Sequence, residues 1–249
     1  MKENQYDQTA FFEKYRQFPR SVAGLQAAGE WHELRKLLPD FTDKRVLDIG
    51  CGFGWHCRYA AEEGARQVLG IDISKKMLAV AQEQTSFENV SYRQLAMEDM
   101  DFAPDSFDVV LSSLAFHYTP NFQEVCEQVF KSLSAKGSFV FSVEHPVFTA
   151  EGRQDWLYDE AGKPELWPVD HYFTEGKRQA NFLGSQVTKY HRTLTTYLNT
   201  LLTVGFTLEA VVEPQPEPRL LAEVPGMSDE LRRPMMLLVK ALKQYNGVL

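Results

Sequence analysis

The stretch Val46–Cys57, VLDIGCGFGWHC, packs three glycines into five residues directly behind an apolar run, then adds a histidine and two cysteines. The run Arg45–Ile49 has the length and apolarity of a buried strand, and the residues from about Gly54 to Glu63 can carry a helix. Glycines at 50, 52 and 54 let the backbone turn sharply and approach a ligand, while the next helix offers unpaired N–H groups and the positive end of its dipole. The same letters allow a metal site, a dinucleotide loop or another nucleoside loop.

A metal site would use Cys51, His56 and Cys57. Five residues separate the two cysteines and no second Cys/His pair follows, whereas structural zinc sites need four ligands in recognisable pairs. Cys57 falls one turn before Ala60 and Ala61, on the face that should pack on a sheet, and Cys126 lies in an apolar stripe; no metal is expected. The dinucleotide fingerprint wants its third glycine where Trp55 stands, and no Lys-Ser/Thr pair follows to make a P-loop. An acid, Asp72, ends the next strand, 22 positions after Gly50, where a carboxylate can accept hydrogen bonds from a ribose diol. The pattern calls for a nucleoside carrying something anionic near the loop. A NAD-type oxidoreductase is the second reading.

Working outward, Trp31, Leu34 and Leu38 fall at helical spacing before Pro39. RQVLGID (66–72) reads as a second strand, SKKMLAVAQEQT (74–85) as a helix N-capped by Ser74, VSYRQ (90–94) as a third strand and FDVVLSS (107–113) as a fourth. The apolar steps from Phe122 to Leu133 mark a long amphipathic helix, and GSFVFSVE (137–144) a fifth strand. Residues 146–190 carry no clear period but hold eight aromatics in 45 positions, well above the chain's 12%, so they read as a folded insertion. Leu194, Tyr197, Leu198, Leu201 and Leu202 form another helical stripe. GFTLEAVVEP (205–214) and PMMLLVKAL (234–242) supply strands six and seven. Strands alternating with helices predict a mostly parallel sheet covered on both faces, with ligands at the carboxyl ends of the strands.

The net charge of -8 and the absence of a Lys/Arg-rich run argue against a nucleic-acid surface. No apolar run is long enough to span a bilayer. Three cysteines and an N-terminus without a signal-type apolar core fit a cytoplasmic protein.

The segment VLDIGCGFGWHCRYAAEEGARQVLGIDISKKML closely resembles the first two motifs of class I S-adenosylmethionine-dependent methyltransferases. AMEDMDFAPDSFDVVLSSLAFHY resembles their third and fourth motifs, and LLTVGFTLEAVVEP their closing helix and strand. The resemblance implies an α/β, Rossmann-like three-layer sandwich whose seven-stranded, mostly parallel sheet has an antiparallel last strand. It implies an S-adenosylmethionine-binding core over 41–145 and 191–249, an N-terminal helical lid segment over 1–40, and an aromatic acceptor lid over 146–190. Carried over by position, Gly50, Cys51, Gly52 and Gly54 would lie at the methionine end of the cofactor, and Asp48 would order its amino group. Asp72 would hold the ribose hydroxyls, Ile73 and Met77 would flank the adenine, Met97 and Glu98 would meet its edge, and Ser112 would face the methionine moiety. Many relatives have an aspartate where this chain has Ala96, so Glu98 would have to make that contact.

For the chemistry, His117 after strand four, His145 after strand five and His191 ahead of the closing helix are the expected acid–base groups, because imidazole titrates near neutrality. Glu144, Tyr190 and Arg192 sit beside them in sequence. Trp156, Trp167 and Tyr172 either wall an acceptor pocket or form the insertion's own core. Tyr6, Phe11, Phe12 and Tyr15 resemble the lid helix of small-molecule methyltransferases. The acceptor expected is a small molecule, with no nucleic acid or membrane as partner. A binding module that holds S-adenosylmethionine without turnover is a third reading.

Overall fold

In the computed structural model, which describes residues 4–244, each expected core strand forms. The N-terminal segment supplies α1 (Thr9–Arg16), α2 (Pro19–Ala23) and α3 (Trp31–Leu37). The core runs β1 (Arg45–Ile49), α4 (Trp55–Glu62), β2 (Gln67–Asp72), α5 (Lys75–Glu83), β3 (Val90–Gln94), β4 (Phe107–Ser113), α6 (Phe122–Ser132) and β5 (Leu133–Glu144). The insertion contributes α7 (Pro146–Thr149), β6 (Leu157–Tyr158), β7 (Pro164–Leu166), β8 (Gly176–Phe182) and β9 (Ser185–His191). The chain closes with α8 (Leu194–Val204), β10 (Phe206–Val212), α9 (Pro218–Glu223) and β11 (Met236–Lys243). The outer ends of the expected segments 1–40 and 191–249 lie outside the described residues.

The seven-stranded sheet has the order β3-β2-β1-β4-β5-β11-β10, with β11 antiparallel to both neighbours. Strand order reverses between β1 and β4, which opens a crevice at their carboxyl ends. Parallel pairing of Ile49 with Ile71, and of Asp48 with Leu111, brings the ends of β1, β2 and β4 to one rim. Buried residues alternate between the two faces of the sheet. Leu47, Ile49, Val110, Phe139 and Phe141 pack beneath Phe122, Val125, Val129, Tyr197 and Leu201 of α6 and α8. Val46, Val68, Val109, Leu111 and Val140 pack beneath Trp31, Leu34, Cys57, Ala60 and Leu78 of α3, α4 and α5.

Local chemistry sets the element ends. Ser74 accepts from the Met77 N–H at 3.1 Å, the expected N-cap of α5. Gly205, at φ 113°, terminates α8 in the left-handed conformation that glycine adopts without cost.

The insertion does have local order. β8 and β9 make a hairpin whose two turn residues, Leu183 and Gly184, have φ of 54° and 73°, the twist a two-residue turn requires. Its Ala180 and Val187 bury Phe11 of α1, and Phe182 meets Phe11, Tyr15 and Phe18 in tilted or edge-to-face contacts at centroid distances of 5.9–6.4 Å. Helix α1 is thereby held between this hairpin and the glycine bend, where Phe12 and Tyr15 meet Phe53. Trp167 stacks on Phe148 at 4.9 Å, Trp156 abuts Trp167, and the Arg233 guanidinium lies 4.1 Å from the Trp167 ring. Trp156 and Trp167 therefore build the insertion's own small core.

Candidate active site

One cavity of about 1240 Å³ runs along the strand-end rim and under the hairpin. From the bend after β1 it meets Gly50 and Gly52, from the end of β2 and the residue beyond it Asp72 and Ile73, from α5 Met77, and from the segment after β3 Ala96, Met97 and Glu98. Its far half is walled by His117, Glu144, Phe148, Phe182, Lys189 and Tyr190.

The glycine bend is built as the sequence requires. Gly50 has φ 70°, and a Cβ there would lie 2.6 Å from that of Ala115, so the bend packs directly on the turn after β4. Gly52, at φ 54°, has only the Met77 methyl within reach of a Cβ, at 3.5 Å, and faces open space. Gly54 turns the other way: a Cβ would collide with the Tyr92 hydroxyl at 2.2 Å, which makes it a packing glycine of the sheet side. Three amides at the start of the bend are already used. Those of Gly50 and Cys51 donate to the Ile71 carbonyl at 2.8 and 3.0 Å, and that of Gly52 donates to the Asp72 carboxylate at 2.9 Å. Asp72 also accepts from Ser74 N at 2.8 Å; burial nonetheless raises its carboxyl to about 6.

Other expected cofactor residues stand behind this surface. Asp48 is buried in the central strand, accepts from the Cys57 thiol at 3.3 Å, and is pushed by burial up to about 7. Cys51 is buried beside it, its thiol raised by burial to about 11. Ser112 donates to the Ile49 carbonyl at 2.9 Å within the sheet; its neighbour Ser113 is the one at the cavity.

Three residues that the sequence did not single out complete this end. The Arg20 guanidinium lies 2.5 Å from Glu30 and donates to Ser113 Oγ at 2.7 Å. Glu30 is fully buried; burial alone would raise its carboxyl, but Arg20, together with a backbone hydrogen bond and His56, holds it below the usual value. Its Oε2 is buried without a hydrogen-bond partner. Asp7 accepts from Ser74 Oγ at 2.6 Å and from Lys76 N at 3.1 Å, fixing the N-terminal segment on α5 beside Asp72. These contacts join residues far apart in sequence, so no local pattern announces them.

At the acceptor end the three histidines separate. His117 lines the cavity; its Nδ1 accepts from the Glu144 backbone N–H at 3.5 Å, and burial lowers its pKa to about 4, with Lys189 and Arg192 adding to the effect against the pull of Glu144. A neutral ring that accepts at Nδ1 carries its proton on Nε2 and is a donor there. His145 lies outside the cavity lining: it caps α7 by accepting from Val147 N at 3.0 Å, and its Nε2 is 2.8 Å from Glu213. His191 is fully buried between Thr149 Oγ1 at 2.7 Å and the Tyr172 carbonyl at 2.8 Å, so both ring nitrogens are engaged. Both are fastenings of the insertion. The Tyr172 hydroxyl oxygen accepts from the Leu194 N–H at 3.1 Å, at the start of α8. Tyr6 and Tyr118 hydroxyls meet at 3.1 Å across the cavity's roof.

Among the described residues, no group of three or more His, Cys, Asp or Glu side chains is placed to hold a metal ion, and no helix is long and apolar enough to cross a membrane. The residues present do suit an adenosyl amino acid: an open bend at Gly52, a carboxylate at the cavity edge, and an Arg20–Glu30 pair with one unsatisfied oxygen.

Known proteins share this fold. Residues 47–141 match the family described as a methyltransferase domain. The chain is 34% identical, over 96% of its own length and 96% of the other's, to an uncharacterized protein of Haemophilus influenzae. The solved structure of an S-adenosylmethionine-dependent methyltransferase from Mesorhizobium loti superposes with a TM-score of 0.82 at 42% identity, covering 88% of this chain and 100% of that one. A Listeria monocytogenes protein provisionally assigned the same activity superposes at 0.84 with 59% identity, covering 89% of this chain and 99% of that one. The fold, the glycine bend and these matches converge, and the chain belongs to the class I S-adenosylmethionine-dependent methyltransferases.

Proposed function

We propose that this enzyme methylates a small organic acceptor held under the β8–β9 hairpin. The observation that carries the reading is the continuity of the cavity from Gly50, Gly52 and Asp72 to the aromatic far half. At about 1240 Å³ it exceeds the ~300–1,000 Å³ of a pocket for one small ligand, which leaves room for a nucleoside cofactor and a second molecule. Labelled methyl from S-adenosylmethionine, offered to a fractionated cell extract, should appear in the low-mass fraction; label in protein or nucleic acid instead contradicts the reading.

In this account Asp72 accepts from the ribose hydroxyls, Ile73 and Met77 bracket the adenine, and Met97 and Glu98 lie at its edge. Because the amides of Gly50, Cys51 and Gly52 are satisfied internally, the charged amino-acid end falls to Arg20 for the carboxylate and to Glu30 for the ammonium. The cofactor supplies an activated methyl on a sulfonium; the chain's own task is to align the acceptor and exclude water. The N-terminal segment, the bend and the hairpin pack together through Phe11, Phe12, Tyr15, Phe53 and Phe182, which provides that exclusion.

Two results follow at the bench. Only an ionised Asp72 can accept from both ribose hydroxyls, so affinity for S-adenosylhomocysteine should fall as pH drops below about 6, approaching tenfold per pH unit. Asp72→Asn should flatten that profile. Arg20→Ala should weaken S-adenosylhomocysteine by roughly tenfold or more, the worth of a hydrogen bond to a charged group. It should leave 5′-methylthioadenosine, which lacks the amino-acid end, within about twofold, since no charged-group bond of that size is then at stake. Equal losses for both ligands would remove Arg20 from that role.

A further inference from the structure

The far half of the cavity balances Lys177, Lys189 and Arg219 against Glu144, Glu223 and Glu230, in a chain whose net charge is -8, and a further cation, Arg192, is buried outside its lining. Lys189, with a side chain only 4% exposed, donates to Glu144 at 2.5 Å and to Gln154 Oε1 at 2.7 Å. An ammonium has three donors, so one remains beyond these two. Glu144 is already committed: its second oxygen accepts from Gln154 Nε2 at 2.6 Å. Arg192, also buried, spends its guanidinium on the carbonyls of Phe116 and Thr119 and lies over the rings of Phe122 and Tyr197. Carbonyl oxygens satisfy its hydrogen bonds without cancelling its charge, and no carboxylate pairs with it among the described residues. The three charges that act on His117, those of Lys189, Arg192 and Glu144, therefore sum to one positive charge.

The uncharged groups point the same way. His117 presents its Nε2 proton as a donor. Thr188 Oγ1 accepts from Gln179 Nε2 at 3.0 Å, which leaves its own proton to give. Phe148, Phe182 and Tyr190 wall the same space with aromatic faces. Among the described residues, the far-half carboxylates Glu144, Glu223 and Glu230 are each paired with a cation, and the His117 imidazole is held neutral by burial, so no base stands ready to take a proton.

We propose that the acceptor is an aromatic hydroxy compound that binds as its oxyanion, held by the free donor of Lys189 and by His117, and is methylated on that oxygen without a protein base. The inference rests on the small-molecule reading above. The acceptor's oxygen lone pair forms the O–CH3 bond as the S–CH3 bond breaks and its electron pair returns to sulfur. The negative oxygen and the positive sulfonium neutralise each other, and no proton moves. Tyr118, two residues beyond the turn position Phe116 and hydrogen-bonded to Tyr6, closes the space above.

The test uses 4-nitrophenol, whose ionisation is read from its visible phenolate band, titrated into the S-adenosylhomocysteine complex of the whole protein. In the wild type the bound probe should ionise about one pH unit lower than in water, a tenfold shift in its ionisation constant. In Glu144→Gln/Lys189→Met, which removes both charges without leaving one buried alone, the shift should fall below about threefold, because the direct charged donor is lost. Glu144 with Lys189→Arg should recover most of it. S-adenosylhomocysteine affinity, within about twofold in every variant, shows that the fold and cofactor site persist, being far less than a lost charged hydrogen bond. The proposal is overturned by probe binding as the neutral phenol, by an undiminished shift in the double variant, or by no probe binding up to saturation. Failure of S-adenosylhomocysteine to bind the wild type overturns instead the reading beneath it, and this proposal falls with that reading.

Discussion

Lys189→Ala is expected to lower the unfolding free energy by ~3–5 kcal/mol, the cost of stranding one member of a buried ion pair. The stranded group is Glu144, which burial pushes upward and which Lys189 first, then His117 and Gln154, hold below the ordinary carboxylate value. With the ammonium gone, burial prevails and the carboxyl must take up a proton or admit water. A urea midpoint measured near neutral pH reads the loss. Glu144→Gln/Lys189→Met should recover most of it, because replacing both charges leaves no isolated ion. A single variant as stable as the wild type would mean that solvent reaches this pair and that the far half of the cavity is wet.

Asp72→Ala is expected to weaken S-adenosylmethionine binding by ~1.5–3 kcal/mol, the range for hydrogen bonds to a charged group. Two effects combine here. The ribose loses its acceptor, and the Gly52 and Ser74 amides lose the carboxylate that holds them at 2.9 and 2.8 Å. Asp72→Asn separates these: its side-chain oxygen can still accept from one amide, so the bend should keep its shape while the diol contact weakens. Calorimetric dissociation constants for the two variants, set beside that of the wild type, check the ordering. An unchanged constant for Asp72→Ala removes the residue from the site.

The sheet was legible because its strands are short apolar runs punctuated by glycine and by capping residues such as Ser74, and because the register of parallel strands brings their ends to one rim. The glycine bend was legible for the same reason: φ values near +50° to +75° at Gly50, Gly52 and Gly54 demand glycine, and the sequence has it. What the spacing did not disclose is which way each side chain leaves the backbone. Ser112 and Ser113 differ by one position on β4, and period-two alternation sends the first into the sheet and the second to the cavity.

His145 and His191 show the same limit. Both stand at strand ends near the rim, yet one faces α7 and Glu213 and the other Thr149 and Tyr172. Arg20, Glu30 and Asp7 were invisible for a different reason. Their partners lie in other segments of the chain, and nothing local distinguishes an arginine that will meet Ser113 from one that will stay in water. The aromatic insertion was recognisable as folded from composition alone, whereas its hairpin rests on two turn residues, Leu183 and Gly184, of which only the glycine signals a turn.

The proposed activity requires the bend at residues 50–54 and the carboxylate of Asp72 to grip an adenosyl amino acid. Parallel calorimetric titrations of the whole protein with S-adenosylhomocysteine and with NAD test this directly. Saturable binding of the first at one per chain, with no heat from the second, is the predicted result. Binding of NAD with comparable affinity, or an S-adenosylhomocysteine isotherm that Gly50→Val leaves unaltered, contradicts it.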